Sequence, residues 1–70
     1  MQVNEYLIKV RDGRWFVTWD SMRFGPYLHR RAAKEGALAM ARSDFSQSIA
    51  ATVTLDDDGE LECIYDSRGQ

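Results

Sequence analysis

The sequence predicts an α+β domain of ββαββ order, in which two hairpins form an antiparallel sheet and one helix packs on one of its faces. Three observations carry this. Two stretches of alternating apolar and polar residues are each broken by an Asp-Gly pair, Asp12-Gly13 and Asp58-Gly59. Between them lies the one segment of sustained helical character, Arg30 to Ser43, rich in alanine. No run is apolar enough to span a bilayer, so the chain reads as a single small globular domain over residues 1–70.

Tyr6 to Val10 alternates, with Tyr6, Ile8 and Val10 on one side and Leu7 and Lys9 on the other. Such period-two patterning is that of a half-buried strand. Arg11-Asp12-Gly13-Arg14 follows, and Asp-Gly is a strong hairpin signal because tight turns need positive φ. Trp15 to Trp19 alternates again, Trp15, Val17 and Trp19 against Phe16 and Thr18. Asp20 to Arg23 reads as a turn. Phe24-Gly25-Pro26-Tyr27 is either a brief third edge strand or a loop into the helix.

In the helix, Ala33, Ala37, Met40 and Ala41 recur at helical spacing, and small residues on that face allow close approach to a sheet. Its start is poorly capped, since no Ser, Thr, Asp or Asn precedes it, and Gly36 weakens it by about 1 kcal/mol relative to alanine. Arg42 and the polar pair Ser43-Asp44 mark its end. Asp44 to Ser48 is a connector from which Phe45 docks on the core. Ile49 to Leu55 is a clean strand, Asp56 to Gly59 a turn, and Glu60 to Tyr65 the last strand, with Leu61, Cys63 and Tyr65 on its buried side. Residues 66–70 form a frayed polar tail.

Composition is that of a folded soluble protein, 44% hydrophobic and 29% charged. The single cysteine, Cys63, cannot form an internal disulfide, and the opening MQVNEYLIKV lacks the layout of a secretion signal. A reducing, cytoplasmic location is expected. Net charge is −2, but unevenly spread: residues 1–35 carry seven basic and four acidic side chains, residues 36–70 two basic and seven acidic. This layout offers a basic face to an anionic partner, or self-complementarity between copies.

Three blocks, Val10 to Val17, Ala33 to Arg42 and Val53 to Leu61, resemble in order and spacing a small bacterial family, domain-of-unknown-function family 2188. The departures are Val10 for its proline, Arg14 for its second glycine, and Ala33 and Gly36 for the two ends of its capping box. The resemblance implies a fold and a bacterial or phage-borne origin, with no activity to transfer. The first half also resembles, more loosely, the arm-binding domains of tyrosine recombinases, whose sheet enters a DNA groove; the acidic second hairpin does not fit them.

No constellation reads as catalytic, cofactor-binding or metal-binding. His29 stands alone, and the serines lack a nucleophile's context. Asp56 to Glu62 lacks both the spacing and the flanking helices of a calcium loop, and reads as a turn. Trp15 and Trp19 either stack on a partner or, as the favoured reading, fill the core under the helix. One helix covers only one sheet face, which leaves Phe16 and Tyr27 as the interface candidates. Arg11, Arg14, Arg23, Arg30, Arg31 and Lys34 either gather on phosphates or stand as solvated charge. The expected function is therefore a non-enzymatic protein-interaction or self-associating module, such as a homodimer. The alternative is a nucleic-acid-binding module using the arginine-rich half. Neither a membrane nor a small-molecule substrate is expected.

Overall fold

The computed structural model describes residues 3–69. The order is β1 (Val3–Arg11), β2 (Arg14–Trp19), β3 (Met22–Tyr27), α1 (Arg30–Ser46), β4 (Ala50–Asp57) and β5 (Glu60–Asp66). The strands form one sheet ordered β3-β2-β1-β4-β5. The class is α+β with one helix on one face, as the sequence predicts. The layout differs from ββαββ in two ways: a third strand precedes the helix, and the two halves join through a parallel pair, β1 with β4. Parallel neighbours need a long crossover, and β2, β3 and α1 together supply it. Among the described residues no helix is long and apolar enough to cross a membrane.

Both Asp-Gly pairs make the expected tight turns, with Asp12, Gly13, Asp58 and Gly59 all at positive φ. The third strand survives its Gly-Pro pair because it lies at the sheet edge, where a missing N–H goes unnoticed. Trp15 pairs with Tyr27 and Val17 with Phe24, so Gly25 and Pro26 together oppose Phe16 in a bulge. The Gly25–Pro26 peptide is cis and Gly25 has φ 123°. A Cβ at Gly25 would stand 2.9 Å from the Trp15 carbonyl oxygen, so glycine is needed there.

The core lies between sheet and helix. Tyr6, Ile8, Val17, Ala51, Val53 and Leu55 come from the sheet, and Ala33, Ala37 and Ala41 from the helix. The three alanines are fully buried, so the helix axis comes close to the strands. Trp15 and Trp19 pack against this core, and the Trp19 ring stacks on Tyr6 at 6.0 Å between centroids. Both are partly buried there, in the packing position that the sequence favours.

Gly36, read above as a weak point, is where Tyr27 fits against the helix. A Cβ there would meet the Tyr27 hydroxyl oxygen at 2.8 Å. Gly36→Ala is therefore expected to miss the ~1 kcal/mol that this change adds in an open helix. In a Tyr27→Phe background part of that gain should return. Urea unfolding of the two single variants and the double checks this coupling.

Four expectations are corrected. The helix runs to Ser46, beyond Ser43, because the Asp44 carboxylate accepts hydrogen bonds from the Tyr6 hydroxyl (2.6 Å) and the Asn4 amide (3.1 Å), anchoring an extra turn. Phe45 does not dock on the core but is 62% exposed. Cys63 is exposed. A bulge between Val53 and Thr54 puts Tyr65 beside Val53 but Cys63 beside Thr54, so the alternation inferred for this strand changes sides. The tail is held through Gly69: Ser67 accepts from the Ala51 N–H and donates its own N–H to the Ala51 carbonyl, while Arg68 binds Asp66. Gln70 lies outside the described residues.

Candidate functional site

Strand register decides which side chains reach the sheet face that the helix leaves open. Ile8, Val17 and Val53 are fully buried on the helix side, so their strand neighbours point the other way. On β1 these are Leu7, Lys9 and Arg11; on β2, Arg14, Phe16 and Thr18. Lys9 sits directly opposite Phe16, Arg11 opposite Arg14, and Arg23 opposite Thr18. The Arg23 guanidinium lies over the Phe16 ring, 4.8 Å from its centroid. This is a cation–π contact, which orients the guanidinium while leaving its N–H groups able to bind an anion.

Arg11, Asp12, Arg14, Phe16 and Arg23 line a shallow cleft of about 540 Å³. Asp12, in the turn, is the one carboxylate of that lining. Among the described residues Arg11, Arg14 and Arg23 form no ion pair. All three are exposed, while Phe16 is half-buried at the centre. The arrangement presents several hydrogen-bond donors around an apolar platform, a pattern suited to phosphate or carboxylate.

Four of the seven sequence candidates, Arg11, Arg14, Phe16 and Arg23, thus come together. Tyr27 does not join them; it faces the helix side opposite Trp15 and packs against the core. Arg30 and Arg31 lie on the helix, and Arg30 pairs with Asp57 at 3.6 Å. Lys9 belongs to the open face, and its place opposite Phe16 follows from the hairpin register once the Asp12-Gly13 turn is fixed.

The acidic half is distributed differently from what the chain order implies. Glu60 pairs with Asp57 and Glu62 with Leu55, and Leu55 belongs to the buried helix-side row. Glu60 and Glu62 therefore sit on the helix side, not on the face with the arginines. Asp56, beside Lys9, stays on the open face. Asp66 is there too, its carboxyl held below the usual range by hydrogen bonds from Arg68.

Tyr6, in the N-terminal half of β1 and away from Arg11, is perturbed as well. Burial, and then the hydrogen bond and charge of Asp44, push its phenol up to about 12. The Asn4–Tyr6–Asp44 cluster was not foreseen from sequence. Of its three members, Asn4 falls in no element there, Tyr6 reads as a strand residue and Asp44 as part of a connector. Among the described residues no three His, Cys, Asp or Glu side chains converge as metal ligands would. No family model matches this chain, and neither a curated protein nor a solved structure matches it.

Proposed function

We propose that this chain is a small, non-enzymatic binding module that takes a nucleic acid on the helix-free corner of β1, β2 and β3. The observation that carries the reading is the grouping of Arg11, Arg14 and Arg23, unpaired among the described residues, around Phe16. The sequence alone favours a protein partner, because the overall charge is negative and the second hairpin would repel phosphates. That objection weakens once Glu60 and Glu62 lie on the opposite side of the sheet. The net charge of −2 then makes binding depend on a local potential, lost steeply as salt rises.

The test is fluorescence anisotropy with a short duplex DNA at about 50 and 200 mM salt. Binding should weaken with a log–log slope of about −3, as three or four phosphate contacts require. Arg14→Ala with Arg23→Ala should lower affinity at least about tenfold and flatten the slope by about 2, with the fold intact by circular dichroism. Absence of binding at the lower salt, or binding that these changes leave untouched, refutes the proposal.

A second reading, a protein partner on the same face, rests on the apolar side chains toward β5: Leu61 is 68% exposed and Cys63 lies exposed beside it on that face. Under it, Leu61→Glu weakens capture of the partner while the arginine changes matter little.

A further inference from the structure

The helix does not cover the sheet evenly. It packs on β4 and β1 and, to a lesser extent, on β2 and β3. Its alanine row faces down, and at 100° per residue Gly36 and Leu38 fall on opposite flanks of that row. Gly36 meets Tyr27 on β3, so the Leu38 flank looks toward β4 and β5. The Arg30–Asp57 ion pair, at the β4 end, agrees with this. The Leu38 flank is strongly basic: Arg30, Arg31, Lys34, Leu38 and Arg42 line one open cleft of about 650 Å³, with Glu35 as the sole carboxylate.

Beside that flank lies β5, an edge strand whose helix-side row is Glu60, Glu62 and, past the bulge, Tyr65. Both glutamates are exposed and, among the described residues, neither forms an ion pair. From Leu55 to Tyr65 the chain carries five carboxylates and no cation. One side of the molecule therefore bears a cationic helix flank with half-buried Leu38 at its middle, next to an anionic strand with half-buried Tyr65 at its end.

We propose that a second copy of this chain docks here, its basic helix flank over the acidic side of β5, and reciprocally. A two-fold contact must be self-complementary, and each chain carries both halves of this one. The start of the basic flank and the Glu60 end of the acidic strand adjoin where Arg30 meets Asp57, so a single axis passing there serves both contacts. Exposed ion pairs contribute little singly. Here several act together around Leu38 and Tyr65, which lose their remaining water on association. The corner of Arg11, Arg14 and Arg23 faces the other way and stays free, so the dimer would present two such corners.

The test is sedimentation equilibrium of the full chain at about 0.05 and 0.5 M salt, with circular dichroism to confirm folding. The wild type should show a dimer mass at low salt that falls toward the monomer as salt rises. Arg31→Glu with Lys34→Glu should give a monomer, as should Glu60→Lys with Glu62→Lys. An equimolar mixture of these two variants should regain the dimer mass, which a folding defect could not produce. A wild type that is monomeric at low salt, or charge-reversed variants that still dimerise, overturns the proposal. So does a helix reversal that weakens DNA binding at unchanged mass, since that flank would then serve phosphate. The outcome is separable from the nucleic-acid reading, because Arg14→Ala and Arg23→Ala should leave the mass as it was.

Discussion

Ile8→Ala should destabilise the protein by about 2–5 kcal/mol, since Ile8 is one of its largest fully buried side chains. Ile8 is fully buried in the central strand, with Val17 beside it on β2 and Leu55 beside it on β4. Above it lie alanines, which have no rotamers with which to fill a void, so the cavity left behind stays open. A chain of this length holds about 4–10 kcal/mol in total, so the variant gives up a large share of it. At about 4–8 °C per kcal/mol for a domain of this size, its melting temperature should fall by about 8–40 °C. Leu7→Ala is the comparison that gives this meaning. Leu7 is the next residue on the same strand but faces the helix-free side and is only half-buried. Urea unfolding should show a much smaller loss for Leu7→Ala. Equal losses would mean that the assignment of faces on β1 is wrong, and with it the placement of Lys9 and Phe16.

That assignment is also where sequence reasoning worked best. Alternation places Tyr6 with Ile8 in β1, Val17 with the tryptophans in β2, and Ala51, Val53 and Leu55 together in β4, because burial on one side of a pleated strand leaves a period of two in the residues themselves. It failed on β5 for a physical reason. A bulge inserts one residue without any compositional mark, and every side chain beyond it changes side. Cys63 was misplaced in this way. The parallel pairing of β1 with β4 was equally hidden, since a strand's partner is set by how the crossover packs, not by its own pattern. Phe24 to Tyr27 reads as either strand or loop because Gly and Pro weaken a strand in general but not at an edge. Of the candidate site, Arg11, Arg14 and Phe16 follow from one hairpin with a recognisable turn. Arg23 joins them only through the β2–β3 register, which stays hidden because Asp20 to Arg23 reads as a turn. Tyr27 was drawn toward an interface because its partner is a glycine on the helix. Gly36 there reads as a defect in propensity, when it is a space shaped for a ring.

Removing the Asp44 carboxylate should be the second severe change, and it should act at the end of β1 remote from the arginine corner. Asp44→Ala leaves the Tyr6 hydroxyl and the Asn4 amide, both in buried residues, without their shared acceptor. Two deprived polar groups place the cost at about 2–4 kcal/mol, and Asp44→Asn, which keeps an acceptor oxygen, should lose less. The same cluster gives the protein an alkaline limit. Tyr6 titrates near 12 in the folded chain against an ordinary value of 10.0, chiefly because burial disfavours the phenolate and further because Asp44 does. The raised value means that folding favours the protonated phenol. Its contribution is complete below pH 10, where both states hold the proton. It declines as pH rises from 10 toward 12, where the unfolded chain releases the proton and the folded chain does not. Two units correspond to about 3 kcal/mol. Unfolding free energies measured at intervals across this range should fall more steeply for the wild type than for Tyr6→Phe. In Asp44→Ala the phenol should titrate closer to 10, with burial alone still holding it up. If Tyr6→Phe falls as steeply as the wild type, the clasp between the helix end and β1 is not what sets the alkaline limit. Binding at the arginine corner, at the opposite end of the same strand, should be unchanged by Tyr6→Phe at neutral pH. That separates what holds the helix down from what the open face is proposed to hold.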